Sequence, residues 1–472
     1  MHGTGRRMTL EIDQLYAERE AQRYTLHARY LNEQLVRVLK TIGFDKRYVK
    51  GIGQYLYDAD GEKYLDLLSG WGVHGIGRNH PTVRDTLKKA LDSNFANLVQ
   101  MDVSPLAGVL AERLLGYMPY LDKVLFTNSG TETVEAAMKF ARAATGRTGF
   151  VYCSHAFHGL TYGSLSLNGD QNFRGGFEPL LPDCFEIPFN DSAALERALA
   201  TRKMAAFMIE PIQGKGVTIP DDNYLRDAFD LCRKYGTLFI ADEIQTGMGR
   251  TGKFLAVDHW GVEPDMVLLA KSLSGGQVPV GALMARKWIF DKVFNRMDRA
   301  VVHGSSFSKN DLAMAAGLAT LEVIETELLV EKSAKTGARL LATFEKMAER
   351  HELVKAVRGK GLMIGIEFGT PASLALKASW NILETASSGL FCQLIVIPLL
   401  NDHKLLTQVA GHRNHTIKLL PSLTITDSDC DWIEQAFETV ISDAHRVPGA
   451  VWTLGKTLVD NAMRGAAESK KP

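Results

Sequence analysis

The sequence lacks the features that would mark a nucleic-acid-binding or membrane protein. Its 472 residues contain 54 Lys and Arg against 54 Asp and Glu, so there is no basic excess to hold nucleic acid or an anionic bilayer. We find no uninterrupted apolar run long enough to span a bilayer. The N-terminus is polar and charged, without the apolar segment of a secretory signal. We therefore expect neither a nucleic-acid nor a membrane partner.

Cysteine is also scarce. The five cysteines, at positions 153, 184, 232, 392 and 430, show neither CxxC nor zinc-ligand spacing. The pairs His155/His158 and His412/His415 have a spacing that metals sometimes use, but no complete ligand set accompanies them. We therefore predict no disulfide framework, no metal site and a reducing, cytoplasmic location.

The order of segments in the middle of the chain is typical of an α/β fold. Between about residues 106 and 325, helical stretches alternate with the short apolar runs KVLFTNSG, GFVYCS, AAFMIEPI, GTLFIADEI, DMVLLAK and VGALMA. Continuous apolar strands between helices predict a mostly parallel sheet covered by helices on both faces. Ligands of such sheets bind beyond the carboxyl ends of the strands, where the motifs discussed below occur.

The two ends of the chain predict a smaller α+β lobe. QYLYDADGEKYLDLLSG (54–70) indicates a hairpin with its turn at Asp60-Gly61, and VRGKGLMIGIEF, CQLIVIPLL and HTIKLLPSLTI alternate with helices after residue 330. Residues 9–41 predict an amphipathic helix, broken once, that packs on its own subunit, on a second copy or on another partner. The predicted segments are 1–75, an N-terminal helical segment and hairpin belonging to the small domain; 76–330, the large domain; 331–450, the C-terminal small domain; and 451–472, a tail helix.

A candidate phosphate cradle lies in TNSGTETVEAAMKFARAATG (127–146). Ser129, Gly130 and Thr131 follow a strand and open a helix. Backbone N–H groups at a helix start bind phosphate, and glycine lets the anion come close. The same residues are also suited to ordinary helix capping, with Glu132 or Glu135 complementing the helix dipole.

A carboxylate pair occurs in ADEIQTGMGRTG (241–252). Asp242 and Glu243 come directly after a buried strand, where an unpaired carboxylate is costly. Three partners are open from the residues alone: a metal ion, a cationic ring nitrogen, or Arg250 in a structural ion pair.

Lys271, in PDMVLLAKSLSGGQVPVGALMA (264–285), ends another apolar run and precedes a cluster of small residues. A lysine that loses hydration there has a lowered pKa and an amine free to form a Schiff base with a carbonyl group. By itself it could equally be an ordinary lysine whose ammonium reaches solvent. A phosphate cradle, a strand-end Asp242 and a strand-end Lys271 together match what pyridoxal 5'-phosphate (PLP) requires. Phe157, with His158 beside it, follows the strand GFVYC and supplies an aromatic ring to stack on the cofactor.

The sequence resembles the class III (ω-type) aminotransferases among the fold-type I PLP enzymes. The resemblance covers about residues 45–445 and rests on the ordered motifs YLDLLSGWGVHGIGRNHP, TNSGTETVEAAMKFAR, AFHGLTYGSLSL, IEPIQG, ADEIQTGMGRTGKF, PDMVLLAKSLSGGQVPVGA and HGSSFSKNDLAMAA. It implies a large PLP-binding domain with a smaller domain built from both chain ends. It also implies ping-pong transfer of an amino group from an amine donor to a keto-acid acceptor. A mutase, racemase or decarboxylase of the same fold would share these motifs.

The resemblance also assigns roles to individual residues. Lys271 would form the Schiff base and shuttle the proton, and Asp242 would pair with the ring nitrogen. Around the cofactor it would place Ser129, Gly130 and Thr131 at the phosphate, Phe157 on one ring face with His158 beside it, Ile244 on the other face, Gln245 near the ring hydroxyl, and Ser306 of a neighbouring subunit at the phosphate. Ser306 thus implies a homodimer with shared active sites, or a higher oligomer.

Two departures from the family pattern concern the substrate. Relatives that use α-amino acids commonly have an arginine where this chain has Lys418, and a glutamate that gates it where this chain has Lys215 in EPIQGKGVTIP. Lysine lacks the bidentate fork of arginine. We therefore expect a terminal amine or diamine as donor, bound in an apolar pocket of Trp71 with Leu98 and Met101 of a partner subunit. The alternative for these three side chains is core packing. An α-amino acid donor stays open, as does the choice between pyruvate and 2-oxoglutarate as acceptor.

Overall fold

Buried apolar strands form the centre of the structure, a computed structural model that describes residues 10–97, 103–411 and 413–446. The strands are β1 Tyr48–Ile52, β2 Tyr55–Asp58, β3 Lys63–Asp66, β4 Lys123–Thr127, β5 Gly149–Cys153, β6 Cys184–Ile187, β7 Met204–Ile209, β8 Leu238–Asp242, β9 Met266–Leu269, β10 Gly281–Ala285, β11 Val354–Lys360, β12 Met363–Phe368, β13 Leu405–Leu406, β14 Gln408–Ala410 and β15 Thr416–Leu419. The helices are α1 Ile12–Arg19, α2 Arg23–Tyr30, α3 Glu33–Thr41, α4 Ser69–Gly72, α5 Pro81–Asp92, α6 Pro105–Gly116, α7 Gly130–Thr145, α8 Tyr162–Leu165, α9 Gln171–Arg174, α10 Ser192–Ala200, α11 Tyr224–Tyr235, α12 Lys287–Val293, α13 Asp311–Thr326, α14 Leu329–Arg350, α15 Leu374–Ala386, α16 Leu390–Asn401 and α17 Asp427–Ala444.

The largest sheet has seven strands in the order β4-β10-β9-β8-β7-β5-β6. Strand β10 runs antiparallel to both of its neighbours, and the other pairings are parallel. The carboxyl ends of β4, β5, β7, β8 and β9 therefore meet at one edge of the sheet. The mostly parallel sheet predicted from the sequence is confirmed, and β6 is a further, partly exposed edge strand.

Both faces of this sheet are buried. Along β7, Phe207 and Ile209 belong to one apolar core with α10 and α11, whereas Ala206 and Met208 belong to another with α7 and α12. Successive side chains of a strand point to opposite faces, so a strand covered on both faces reads as an unbroken apolar run. That physical rule explains why these strands could be predicted from composition.

Two smaller sheets, β1-β2-β3-β13 and β11-β12-β15-β14, involve both ends of the chain. The predicted hairpin forms β2 and β3, and Asp58 Oδ1 accepts hydrogen bonds from the backbone N–H groups of Asp60 (3.0 Å) and Glu62 (2.9 Å) at its turn. Gly61 adopts φ 85°, a conformation that favours glycine. Strand β13 pairs in parallel with β3 and so joins the N-terminal hairpin to the C-terminal part. The domain boundaries stay predictions, and segment 451–472 lies outside the described residues.

Two apolar segments differ in form from the sequence prediction. CQLIVIPLL, interpreted as a strand, lies within the buried helix α16, with Pro398 inside it. A run that is apolar on every side shows no period, so composition cannot distinguish a buried helix from a buried strand. The segment from residue 10 to 41 forms three helices, and Asn32 caps the third by accepting a hydrogen bond from Leu35 N (3.1 Å).

The structure bears on two features that the sequence was expected to lack, namely membrane-spanning helices and metal-binding groups of side chains. Within residues 10–97, 103–411 and 413–446, no single helix combines the length and apolar composition needed to cross a bilayer, although α15 and α16 meet that test together as a pair bent by 99°. Over the same residues, no group of three or more His, Cys, Asp or Glu side chains is arranged to hold a metal ion. All five cysteines are free thiols.

Gly337 in α14 gives a test of packing within the predicted C-terminal small domain. A Cβ at this position would lie 2.1 Å from the carbonyl oxygen of Gly361, a backbone atom that cannot swing aside. Alanine favours a helix over glycine by about 1 kcal/mol, but the clash requires backbone movement that costs about 1–3 kcal/mol or more. We expect Gly337→Ala to lower the urea midpoint of unfolding. Gly108→Ala in α6, where no atom lies within 4 Å of the new Cβ, is the control and should leave the midpoint unchanged or raise it.

Candidate active site

A cavity of about 980 Å³ lies at the edge where the parallel strands end. The strands β4, β5, β7, β8 and β9 each contribute a lining residue just at or after their carboxyl ends. The small-domain strands β14 and β15 form another wall. The arrangement follows the general placement of ligand sites on parallel sheets.

Lys271 lies two residues beyond β9 and lines this cavity. Its φ of 45° is in the left-handed region, an uncommon conformation for a residue with a side chain. Among the described residues, no side chain or backbone group forms a hydrogen bond or ion pair with its ammonium. Burial lowers the pKa of Lys271, while the charges of Asp242 and Glu210 oppose that change. The side chain is therefore an amine prepared to lose its proton.

Asp242 is the last residue of β8 and is almost fully buried, with 3% of its surface exposed. Its Oδ2 accepts a hydrogen bond from His158 Nδ1 (2.7 Å), and its Oδ1 accepts one from Ile244 N (3.1 Å). Burial alone would lower the pKa of His158, but the hydrogen bond and charge of Asp242 outweigh it, so the pKa is raised. The imidazole thus fixes the carboxylate in place on the cavity wall.

Arg250 does not pair with either carboxylate of the motif. Its guanidinium donates to the carbonyl oxygens of Leu362 (3.1 Å) and Pro421 (2.5 Å), linking the large and small domains. Glu243 accepts hydrogen bonds from Thr246 Oγ1 (2.5 Å) and Val257 N (2.8 Å), and burial raises the pKa of Glu243 to about 7. The alternative of a structural ion pair with Arg250 is therefore wrong for both carboxylates. Arg250 binds carbonyl oxygens of the small domain, whereas Asp242 and Glu243 accept hydrogen bonds from groups of the large domain.

The candidate phosphate cradle opens α7 and borders the cavity. Ser129 caps the helix by accepting from Glu132 N (3.3 Å), as one interpretation of the sequence expected. Thr131 Oγ1 lies 2.7 Å from the hydroxyls of both Thr161 and Ser164. The cap uses the Glu132 N–H, so the N–H groups of Gly130 and Thr131 are the first-turn donors that remain for an anion.

Gly130 is required by close packing. A Cβ on Gly130 would lie 3.0 Å from Ile244 Cδ1 and 3.5 Å from Ala270 Cβ. Phe157 also lines the cavity, with its ring in edge contact with Phe173 at a centroid distance of 5.3 Å. This side of the cavity is thus lined by aromatic and aliphatic side chains, which suit a flat ligand.

Trp71, Gln245 and Lys418 form one hydrogen-bonded wall. Trp71 Nε1 donates to Gln408 Oε1 (2.7 Å), and the Trp71 carbonyl accepts from Gln245 Nε2 (3.0 Å). Lys418 Nζ donates to Gln245 Oε1 (2.8 Å) and to the carbonyl oxygen of Gly214. Burial, together with the charge of Lys271, lowers the pKa of Lys418 to about 7. The predicted substrate-side residues Trp71 and Lys418 therefore share one network beside Gln245.

Glu210 is a cavity residue to which the sequence assigned no role. It follows β7 and is 6% exposed. Its two oxygens accept hydrogen bonds from Phe157 N (2.9 Å) and Gly214 N (2.7 Å). Burial raises the pKa of Glu210. The signal that identified Asp242, a carboxylate directly after a buried strand, was also present here in IEPIQG.

One predicted site residue lies outside the cavity wall, and two lie outside the described residues. Ser306 is exposed and is not part of the cavity wall of its own chain. Leu98 and Met101 lie outside the described residues, as does His412.

The fold and the cavity together define a fold-type I PLP-dependent enzyme, and comparison with known proteins agrees. The sequence profile described as "Aminotransferase class-III" matches residues 43–441. The Serratia protein "Aminotransferase PigE" is 35% identical over 467 residues, which cover 92% of this chain but 55% of that longer relative. The acetylornithine aminotransferase of Bacillus cereus is 39% identical over 396 residues, covering 82% of this chain and 92% of the relative.

Solved structures show the same likeness. The ornithine aminotransferase of Toxoplasma gondii ME49 has a TM-score of 0.79 and 28% identity, covering 91% of this chain and 96% of its own. A PLP-bound amine transaminase from an uncultivated Pseudomonas species has a TM-score of 0.71 and 30% identity, covering 84% and 93% of the two chains. The chain belongs to the class III aminotransferase family, and it is a PLP-dependent aminotransferase that uses an amine donor and a keto-acid acceptor.

The residues present fit this cofactor. The cavity combines an amine without a hydrogen-bond partner among the described residues, at Lys271, with a buried carboxylate, at Asp242, and a helix N-terminus, at Gly130. These are the groups that an aldehyde, a pyridine nitrogen and a phosphate require. Because Gly130 has no side chain, the backbone at the start of α7 is open to close approach by an anion.

Proposed function

We propose that this chain transfers an amino group from a terminal, ω-type amine to a keto acid, with Lys271 and Asp242 as its catalytic residues. The observation that carries the donor class is the composition of the cavity wall. Among the described lining residues there is no arginine, and the lysines are Lys215, Lys271 and Lys418. A bidentate clamp for the carboxylate beside an α-amine is therefore missing from the part of the site that the structure describes.

The relatives support the same donor class. Ornithine and acetylornithine, named in two of the relatives, each carry a nitrogen at the end of an aliphatic side chain, and a third relative is named an amine transaminase. Trp71, Phe157 and Phe173 supply apolar surface for a methylene chain. An aliphatic chain gains about 0.8 kcal/mol for each CH₂ group that it buries.

The protein residues have separate tasks in the proposed reaction. Bound PLP supplies a sink for the electron pair left when the C–H bond beside the amine is broken. Lys271 accepts that proton and later returns it, and the burial that lowers its pKa favours the neutral amine that this task requires. Asp242, fixed by His158, would pair with the ring nitrogen and favour its protonated form.

The places of the other residues in the cavity wall suggest their contacts with the cofactor. We place Ser129, Gly130 and Thr131 at the phosphate, through the backbone N–H groups of the first turn of α7. Phe157 and Ile244 would enclose the ring, and Gln245 would lie near its hydroxyl. His158 serves the cofactor through Asp242.

Ser306 supports a homodimer with shared sites. It is exposed and lies outside the cavity of its own chain, as a residue that serves a second subunit would. The neighbouring Val301 and Phe307 are 82% and 65% exposed. Large apolar side chains exposed together are typical of subunit contacts.

Lys418 gives a test of acceptor binding. An ammonium has three N–H donors, and the bonds to Gly214 and Gln245 leave one for a substrate oxygen. A hydrogen bond to a charged group contributes about 1.5–3 kcal/mol, so Lys418→Met should raise the half-saturating keto-acid concentration about tenfold or more. The half-saturating amine concentration should stay unchanged. An unchanged response to every keto acid would remove Lys418 from the substrate site.

The donor class is tested by comparing initial rates with putrescine and other primary amines against alanine and glutamate. We expect the primary amines to be the better donors. Lys418→Arg is the matched variant, since it restores a fork and should improve the α-amino acids relative to wild type. A wild-type preference for alanine or glutamate would overturn the terminal-amine proposal.

A further inference from the structure

The loop from Gln213 to Thr218 places Lys215 at the cavity wall, and hydrogen bonds fix the backbone of this loop. Gln213 and Thr218 form a two-way backbone bridge, with N···O distances of 3.0 and 3.2 Å. Arg358 donates to the carbonyl oxygens of Gly216 (2.8 Å) and Val217 (2.9 Å). The loop is therefore closed on itself and tied to β11.

The tip of this loop is strained and anchored further. Val217 is fully buried and adopts φ 52°, a conformation that a β-branched residue rarely takes. The carbonyl oxygen of Lys215 accepts a hydrogen bond from Gly411 N (2.9 Å). Strain of this kind is held in place only by surrounding contacts, and it recurs at ligand sites. The backbone of Lys215 is thus fixed while its side chain extends to the cavity wall.

Lys215 pairs with a carboxylate, whereas Lys418 bonds neutral oxygens. Lys215 Nζ forms an ion pair with Asp170 Oδ2, a quarter of the lysine side chain is exposed, and the residue lines the cavity. Asp170 is held in turn by its other oxygen, which accepts from Asn172 N (3.0 Å). The pair is accessible enough for a substrate anion to compete with Asp170.

Lys215 and Lys418 are connected through one peptide bond of the loop. Lys418 donates to the carbonyl oxygen of Gly214, which belongs to the peptide bond joining Gly214 to Lys215. Both side chains line the same cavity as Lys271. Two neighbouring basic side chains, one buried and one partly exposed, match a ligand with two carboxylates.

We propose that Lys215 is a specificity-determining residue that binds the second carboxylate of a dicarboxylic keto acid, exchanging its bond to Asp170 for one to the substrate. Asp170 keeps the cation in place between turnovers and competes with the incoming carboxylate. Lys418 binds the first carboxylate. This inference rests on the proposed function for the identity of the reaction.

The test compares a dicarboxylic and a monocarboxylic acceptor on the same holoenzyme with one amine donor. We expect Lys215→Met to raise the half-saturating concentration of 2-oxoglutarate about tenfold while that of pyruvate changes less than about twofold. Asp170→Asn should lower the value for 2-oxoglutarate, because the competing carboxylate is gone. Lys234→Met is the control, since it removes a surface ion pair with Glu196 (2.7 Å) that does not border the cavity.

A binding measurement separates this inference from the proposed reaction. Glutarate, a dicarboxylate without a keto group, should raise the unfolding temperature of the wild-type holoenzyme, and Lys215→Met should abolish that rise. The subsite is refuted if Lys215→Met shifts both keto acids alike or neither, if glutarate stabilises both proteins equally, or if Asp170→Asn weakens 2-oxoglutarate. If no amine and keto-acid pair reacts at all, the proposed function fails, but glutarate still tests the subsite.

Discussion

Replacing Lys271 by methionine is expected to abolish transamination in a protein that remains folded. A positioned proton shuttle contributes about a hundredfold to ten-thousandfold to rate, and among the described lining residues Lys271 is the amine without a hydrogen-bond partner. Methionine keeps the volume of the side chain and removes an ammonium whose burial is unfavourable. We therefore expect the unfolding midpoint to be unchanged or higher. The measurement is the rate of each half-reaction in single turnover.

Two comparisons make this result specific. Lys253→Met removes an exposed lysine of the same large domain that does not line the cavity, and it should leave the rate unchanged. Added methylamine should restore part of the activity of the Lys271 variant, because a small amine fits the space vacated by the ammonium and can carry the proton. Activity of Lys271→Met within about tenfold of wild type would remove Lys271 from the chemistry.

Asp242→Asn is expected to cost almost as much, for an electrostatic reason. The change preserves shape but removes the negative charge that His158 and the Ile244 N–H hold in place. Loss of one preorganised electrostatic partner in a closed site lowers turnover by about a hundredfold to a thousandfold. The raised pKa of His158 should fall in the variant, because the hydrogen bond and charge that raise it are weakened. Titration of the His158 ring by NMR measures this independently of activity.

Glu243→Gln is the matched control for Asp242. Glu243 is the next residue, is equally buried and lies outside the cavity wall. Its pKa of about 7 means that it is partly protonated at neutral pH, so glutamine is a close mimic. We expect turnover to stay within about twofold of wild type, because Glu243 does not line the cavity and glutamine introduces neither a cavity nor an unpaired charge. Equal losses in the two variants would show that Asp242 acts only through stability.

The site residues that could be predicted from the sequence are those at the carboxyl ends of the parallel strands. Asp242 and Lys271 each come directly after a buried run, and parallel strands bring their carboxyl ends together at one edge. A residue's distance from a strand end can be counted along the sequence. The same counting would have found Glu210, and no chemical role was assigned to it.

Contacts between distant segments could not be predicted in this way. Lys418 reaches the carbonyl oxygen of Gly214, 204 positions away, and the orientation of β15 against the loop decides that contact. Arg250 was a candidate partner for a carboxylate, yet two carbonyl oxygens of the small domain hold it. Asp170 and Lys215 are 45 positions apart, and Lys215 belongs to a loop whose Val217 carbonyl oxygen accepts a hydrogen bond from Arg358 of β11. Each of these depends on packing between domains, about which local sequence pattern carries no information.

The most direct test of the proposed function is an absorbance titration of the purified protein with PLP bound. We expect the visible band of the bound cofactor to bleach when a primary amine such as putrescine is added, and to return when pyruvate or 2-oxoglutarate follows. That pair of changes would establish both halves of the transfer, and the fastest amine would define the donor class. A band that no primary amine bleaches, while glutamate or alanine does, would contradict the terminal-amine donor. A band that no amine of any kind bleaches would contradict transamination in this cavity.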